Sequence, residues 1–97
     1  MSDPTSVRQR RGVEQYHDDL RVVMKTAAGR RVVHALLHES GVFRRSMAPG
    51  DSHLTAFHEG QRAIGLAVHD DVREACFDLF MDMLREARAD AQQDALS

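Results

Sequence analysis

The sequence contains little cysteine, few aromatic residues and no long apolar run. Cys76 is the single cysteine, which excludes an internal disulfide framework and a zinc site built from cysteines. One tyrosine, four phenylalanines and no tryptophan leave the core to Leu, Val, Ile, Met and Ala, which suit helices better than a β-sandwich. No segment approaches about 18 consecutive apolar residues, and the N-terminal residues do not resemble a secretory signal. We therefore expect no membrane span and no membrane partner.

Charge is unevenly distributed between the two halves of the chain. Residues 1–50 contain nine lysines and arginines and five acids, a net charge of +4, whereas residues 51–97 contain four arginines and ten acids, a net charge of −6. This asymmetry favours contact with nucleic acid, with an acidic protein or head-to-tail with another copy. Ordinary solvated faces are an equally good interpretation. The length of 97 residues predicts one domain with a modest core, to whose stability partner contacts can add.

The first half of the chain predicts a basic arm followed by two helices. Residues 1–12 place arginines among Pro, Ser and Gly, so we expect a flexible basic arm. Apolar residues at helical spacing predict a first helix over about residues 13–25. Thr26 is the expected N-cap of a second helix over about residues 27–40, and Gly41 is its expected stop. The apolar side of this second helix consists of Val32, Val33, Leu36 and Leu37.

The second half begins with a predicted loop and a third helix. Pro49 and Gly50 signal a turn. Asp51 or Ser52 is a suitable cap for a third helix over about residues 53–69. A stripe of small residues runs along this helix, formed by Ala56, Gly60, Ala63 and Ala67. Gly60 and Gly65 each cost up to about 1 kcal/mol inside a helix. We therefore expect close packing of this helix against the second or fourth helix, with an external partner as the alternative.

A fourth helix is predicted to begin at Asp71 and Glu74, whose D-x-x-E spacing is typical of a capping box. The amphipathic repeat that follows is formed by Val72, Cys76, Leu79, Phe80, Met83 and Leu84. Residues 91–97 are expected to fray as a C-terminal tail. Together these patterns predict an all-α fold, a compact bundle of three to four helices, with a single helical domain over residues 13–90.

The side chains that could carry chemistry form no recognised catalytic or metal-binding pattern. His34 and His38 are four residues apart and share one side of a helix, but no cysteine and no HExxH motif accompanies them. Helical stepping places both opposite the apolar stripe, toward solvent or a partner. The serines lack a nucleophile elbow, and Cys76 falls on a predicted core face, where a thiol is usually inert. We expect no enzyme activity, no metal and no cofactor.

DNA binding is the main alternative function. The first two helices and Thr26 could form a helix-corner-helix that brings Arg30 and Arg31 close to phosphates. However, the outward side of the second helix carries histidines and a glutamate instead of the Asn, Gln and Arg that read bases. The acidic fourth helix would also be repelled by DNA. A sequence-nonspecific DNA-binding or regulatory module therefore remains the alternative.

Five segments of the chain match, in order, the pattern of one phage protein family. They are GRRVV at 29–33, LL at 36–37, GVFR at 41–44, FHEGQR at 57–62 and GL at 65–66. Over about residues 20–70 the chain resembles a family of small helical proteins of tailed bacteriophages, named after a Bordetella phage member encoded in the head-gene cluster. The resemblance implies a virion-associated or assembly protein and not an enzyme.

The resemblance also implies partners and a location. We expect a small virion structural or assembly protein, made in the host bacterial cytoplasm, that binds other phage proteins in the head or neck region. The basic arm is a candidate contact for packaged DNA. Presence in many copies makes a homo-oligomer a candidate state.

The arginines around the second helix form the predicted site. We expect a structural ion pair of Glu59 and Arg62, in which Glu59 also faces Arg30 or Arg31 and locks two helices together by bidentate hydrogen bonds. One arginine of each pair would then be structural, and the other would face a partner. The predicted partner-binding residues are Arg30, Arg31, Phe43, Arg44, Arg45 and Arg62. Four solvated arginines are the alternative.

Salt dependence separates the two predicted functions. If the chain binds DNA through its arginines, its affinity for a labelled duplex should fall steeply between low and moderate salt, because bound arginines release condensed counterions. A packed protein interface should change little over the same range. We expect the weak salt dependence, measured for retention of the chain on purified phage particles. A steep dependence with duplex DNA, and no retention on particles, would favour the DNA-binding alternative.

Overall fold

The computed structural model describes residues 4–43 and 52–96, with side chains over residues 11–43 and 53–96. The described residues form four helices and no strand. The helices are α1 (Pro4–Met24), α2 (Ala27–Ser40), α3 (Ser52–Ala75) and α4 (Phe77–Leu96). They pack against one another, which confirms the predicted all-α class. The predicted turn at Pro49-Gly50 and the predicted cap at Asp51 lie outside the described residues.

The corner between α1 and α2 depends on Thr26 and Gly29. The Thr26 hydroxyl oxygen accepts a hydrogen bond from the Gly29 N–H at 2.9 Å, which confirms Thr26 as the N-cap of α2. A Cβ added at Gly29 would collide with the backbone carbonyl of Val23 in α1. The two helices therefore approach so closely that a glycine is needed at this position.

The end of α2 is closed by Gly41. This residue adopts the left-handed conformation, with φ 86° and ψ 14°, and its N–H donates to the His38 carbonyl. The Val42 N–H donates to the Leu37 carbonyl at 3.4 Å, which completes a Schellman motif. The predicted stop at Gly41 is confirmed.

The boundary between α3 and α4 lies at Cys76, so the predicted start at Asp71 is wrong. Residues 69–75 continue α3 without interruption. The carbonyl of Ala75, at the end of α3, accepts a hydrogen bond from Nε of Arg21 in α1 at 2.7 Å. A side chain distant in sequence thus caps the end of α3, where a carbonyl lacks its helical partner. A local D-x-x-E pattern cannot reveal such a distant cap.

Both ends of the helical region extend further than the periodicity predicts. The first helix begins at Pro4, ahead of the predicted start near residue 13. Proline is well tolerated in the first turn of a helix, where its missing N–H has no partner to lose. The last helix continues to Leu96, through most of the predicted C-terminal tail. The flexibility of residues 1–12 stays a prediction.

The core is small and receives two side chains from each helix. Its buried members are Leu20, Met24, Val33, Leu37, Val72, Ala75, Phe80 and Met83. Those from α3 and α4 lie next to the break at Cys76, so the core sits where the end of α1, α2 and the α3–α4 junction meet. The first half of α3 and the second half of α4 extend beyond this core. The radius of gyration of 16.6 Å exceeds the roughly 13 Å of a compact domain of this size.

Several apolar positions that the helical pattern assigns to the interior are exposed instead. On α2, Val33 and Leu37 are buried, whereas Val32 and Leu36 are exposed. On α3, Ile64 is 71% exposed. The small residues predicted to pack within the chain are exposed as well, namely Ala56, Gly60, Ala63 and Ala67. For this stripe the predicted packing within the chain is wrong, and the external alternative remains. At Gly65 it is confirmed, because that residue is buried and an added Cβ would collide with Ser40 of α2.

A glycine-to-alanine pair tests the tight corner. Gly29→Ala should destabilise the protein by about 1–3 kcal/mol, because the added methyl group must push apart two packed backbones. Gly12→Ala is the matched control, since a Cβ there meets nothing within 4 Å. It should be neutral or stabilise by up to about 1 kcal/mol through helix propensity. Urea unfolding followed by circular dichroism measures both, and equal stability of the two variants would contradict the close approach.

Candidate functional site

Arg30 joins three helices through one guanidinium group. Its Nε and Nη2 atoms donate to the two carboxylate oxygens of Glu86 on α4, at 2.6 and 3.1 Å. Its Nη1 atom donates to the backbone carbonyls of Met24 and Lys25, at 2.8 and 3.2 Å. The Arg30 side chain is 14% exposed. The fork of donors that only arginine offers thus ties the end of α1 and the start of α2 to α4.

The ion pair shifts the pKa values of Arg30 and Glu86 in the directions expected when each charge stabilises the other. The hydrogen bond from Arg30, opposed by burial, lowers the pKa of Glu86. The same hydrogen bond raises the pKa of Arg30, again against burial. Glu86 is therefore a carboxylate held in its charged form.

A groove between α2 and α4 lies beside this ion pair. Its volume is about 280 Å³. Arg30 and Arg31 line one side, and Glu86, Asp90 and Asp94 line the other. The basic start of α2 therefore faces carboxylates of the same chain. This arrangement weakens the case for a helix-corner-helix that presents both arginines to DNA, because phosphates would be repelled by the acidic side of the groove.

Phe43, which lies just beyond the end of α2, packs against a histidine within that helix. Its ring stacks on that of His34, with centroids 5.4 Å apart and an angle of 22° between the planes. Burial, and then the neighbouring charge of His38, lower the pKa of His34. The neutral imidazole is favoured here. His34 is half-buried against Phe43, although helical stepping predicts it on the outward side.

An uncovered apolar strip runs along the outside of α2. We call it the α2 outer face, and it consists of Ala28, Val32, Ala35 and Leu36. All four are exposed, with Val32 at 59% and Leu36 at 64%. Arg31 is exposed beside the strip. A strip of this kind, apolar with a charged edge, is the chemistry that protein interfaces use.

The structure separates the predicted site residues. Arg30 contacts Glu86 of α4, whereas the residue pattern predicts a carboxylate of α3 in this role. Glu59 is exposed and Arg62 is half-buried. Their ion pair is not among those found within residues 4–43 and 52–96, and it stays a prediction. Arg44 and Arg45 lie outside the described residues. Contact of Arg30, Arg31, Phe43 and Arg62 with a partner stays a prediction too.

Other titratable groups have structural surroundings. The Cys76 thiol donates a weak hydrogen bond to the Val72 carbonyl at 3.5 Å, and burial raises its pKa despite the charge of Arg21. Burial, and then the charge and hydrogen bond of Asp71, raise the pKa of Tyr16. Within the described ranges, no three His, Cys, Asp or Glu residues come together as a metal site would require. No described helix has the length and apolar composition to cross a bilayer.

Residues 20–93 match the family of Bbp19-like phage proteins. The chain belongs to this family. The matched segment contains every buried core residue and both members of the Arg30–Glu86 pair, so it covers the packed part of the fold. It also extends beyond the range of about residues 20–70 over which the sequence motifs carry the resemblance. Neither the curated proteins nor the solved structures include a match to the chain.

Two features of this Bbp19-like protein escape sequence reasoning. Glu86 lies in a polar stretch of α4 with no local signal that distinguishes it from its acidic neighbours, and its partner is 56 positions away. The α2 outer face, in contrast, is indicated by a feature of the sequence. The four apolar residues from Val32 to Leu37 span about 140° of the helix at 100° per residue, which is wider than the side that faces the core.

The Glu86 carboxylate should make stability depend on pH in a defined direction. Its pKa is lowered in the folded state, so its contribution is present above the ordinary glutamate pKa and is lost as the pH falls through the lowered value. Glu86→Gln should lower Tm at neutral pH, and its difference from wild type should shrink in acid. Glu74→Gln, which replaces an exposed carboxylate on α3, should leave Tm nearly unchanged. A difference for Glu86→Gln that does not depend on pH would contradict the ion pair.

Proposed function

We propose that this Bbp19-like protein is a small structural or assembly component of the phage particle, which docks onto another head or neck protein through the α2 outer face. The observation that carries the proposal is the ratio of exposed to buried apolar side chains. Among the described residues, twelve large apolar side chains are exposed, whereas eight residues form the core. Isolated exposed apolar residues are normal in a monomer, but contiguous strips mark contact sites.

The shape of the molecule supports an assembly role. The principal extents are 57, 38 and 15 Å. A body this thin has one layer of helices over much of its area, and a single layer leaves one side of each helix uncovered. A partner protein that adds a second layer would bury those sides. Membership of a phage protein family makes other phage proteins the natural source of that partner.

The position of the charges supports a protein partner over DNA. Arg30 is engaged by Glu86 and by two backbone carbonyls. Arg31 is exposed at the edge of the α2 outer face, but it also lines the groove opposite Glu86, Asp90 and Asp94, so its charge is partly balanced within the chain. Rim charges of this kind chiefly guide encounter and register, and the buried apolar centre supplies the affinity.

Substitution within the phage tests this proposal. Leu36→Glu should strongly reduce the amount of the chain in purified particles, because a carboxylate would be buried in the docking interface. Val22→Glu is the matched control, since Val22 on α1 is exposed to 63% and Leu36 to 64%. It should leave incorporation unchanged. Quantitative mass spectrometry of particles, normalised to the major capsid protein, measures both.

Three outcomes would contradict the proposal. Absence of the wild-type chain from particles and from assembly intermediates would overturn the structural role. Equal incorporation of the Leu36→Glu and Val22→Glu variants would overturn the α2 outer face as the docking site. Binding to duplex DNA that weakens steeply with salt, together with absence from particles, would establish the DNA-binding alternative.

A further inference from the structure

The first half of α3 presents its more apolar side to solvent. Its exposed, uncharged side spans three turns and consists of Ala56, Phe57, Gly60, Ala63, Ile64 and Ala67. We call this the α3 outer face. Helical stepping of 100° per residue places these residues on one side. Phe57 is 60% exposed and Ile64 is 71% exposed, so neither is covered by the part of the chain that the structure describes.

The inward side of this first half is polar, since its half-buried residues are Thr55, His58 and Arg62. Apolar residues take over the inward side only in the second half of α3, where Val68 packs against the core and Val72 is buried. A helix that lies on the surface of a monomer normally shows the opposite pattern, with its apolar side facing inward. The apolar and polar sides of the first half of α3 are therefore the reverse of those expected in a monomer. This arrangement suits a helix that packs against a second apolar surface.

Gly60 lies at the centre of the outer face, and among the described residues it has no role in the packing of a single chain. A Cβ added there meets nothing within 4 Å. A glycine inside a helix costs about 0.5–1 kcal/mol relative to alanine. Gly65 on the same helix differs, because an added Cβ would collide with Ser40 of α2. The open space at Gly60 thus fits the close approach of a helix from outside.

The spacing of the small residues matches the seam of a two-helix coiled coil. Ala56, Gly60, Ala63 and Ala67 are separated by four, three and four residues, which is the a/d spacing of a heptad. Small side chains at these positions allow two helix axes to come close together, and Phe57 and Ile64 flank the seam on one side. The partner that such a seam fits is a helix of similar composition.

The charged and polar residues of α3 indicate which partner packs on the α3 outer face and in which orientation its helix lies. From the structure we infer that the partner is a second copy of this chain, packed α3 to α3 in antiparallel orientation about a two-fold axis. In that arrangement Gly60 faces Ala63 of the second copy, and Ala56 faces Ala67 of the second copy. One turn further, the exposed His53 faces the exposed Asp70 of the second copy. One oxygen of Asp70 already contacts His69 of its own chain at 3.0 Å, and the other can accept an imidazole N–H. The interface is self-complementary, as two-fold symmetry requires.

A parallel pair of helices would be unfavourable. The final turns of α3 carry Asp70, Asp71 and Glu74. Parallel packing would bring each of these carboxylates close to its own copy, and like charges in register destabilise a helix pair. Antiparallel packing keeps the two acidic ends apart. This inference goes beyond the proposed docking function and does not depend on it.

Self-association of the full chain tests the inference directly. Light scattering after size-exclusion chromatography, over roughly a hundredfold range of concentration, should show a mass that rises from one chain toward two by mass action. Ile64→Glu should remain monomeric throughout, because it introduces a charge at the centre of the interface. Leu36→Glu is the matched control and should still dimerise, because its apolar side chain is similarly exposed on α2. Circular dichroism checks that both variants are folded.

Cysteine cross-linking tests the orientation. In a Cys76→Ala background, Ala56→Cys and Ala67→Cys should each give little disulfide dimer alone and a strong dimer band when mixed. A parallel pair would cross-link each variant with itself. A wild-type chain that stays monomeric, an Ile64→Glu variant that still dimerises or self-cross-linking of the single variants would overturn the inference. Incorporation into phage particles is measured separately, so either proposal can fail without the other.

Discussion

The contact between Arg30 and Glu86 is the interaction on which the arrangement of the helices depends. One guanidinium group holds a carboxylate of α4 by two hydrogen bonds, and it holds the carbonyls of Met24, the last residue of α1, and of Lys25 by two more. The corner beside it admits no side chain at Gly29. With eight buried residues, the core alone offers few contacts to orient α4. The bidentate ion pair, with the Arg30 side chain 14% exposed and the Glu86 side chain 38% exposed, supplies a direction that apolar packing does not.

A second arginine completes this framework from the opposite end of the core. Arg21 donates to the Ala75 carbonyl, where α3 ends, and to Asp18 on its own helix at 2.6 Å. Helical hydrogen bonds continue across the break, because the Cys76 N–H donates to the Val72 carbonyl and the Phe80 N–H donates to the Cys76 carbonyl. Two arginines thus fix the two places where the helices meet, the corner of α1 with α2 and the junction of α3 with α4. Because Arg21 and Arg30 are engaged inside the fold, neither places a charge at the centre of the α2 outer face or of the α3 outer face.

The combination of a small core and uncovered apolar strips has one consistent explanation. Under the two proposals made above, the chain completes its packing against other molecules, as a component of a larger assembly does. The two strips differ in chemistry. The α2 outer face has the larger aliphatic side chains Val32 and Leu36 at its centre, which suit the apolar surface of a different protein, whereas the α3 outer face has small residues at coiled-coil spacing, which suit a copy of itself.

The sequence alone determined the elements whose signals are local. Thr26, Gly41 and the apolar periodicity predict the bounds of α2, because a cap, a left-handed glycine and a 3.6-residue repeat act within a few residues. The ordered motifs are also sufficient by themselves to indicate the phage family. Only the tertiary structure decided that Glu86 is the partner of Arg30, that α3 continues to Ala75 and that Val32, Leu36 and the small residues of α3 face outward. These outcomes depend on which helix lies opposite, and a periodic pattern shows that a side is apolar without showing what covers it.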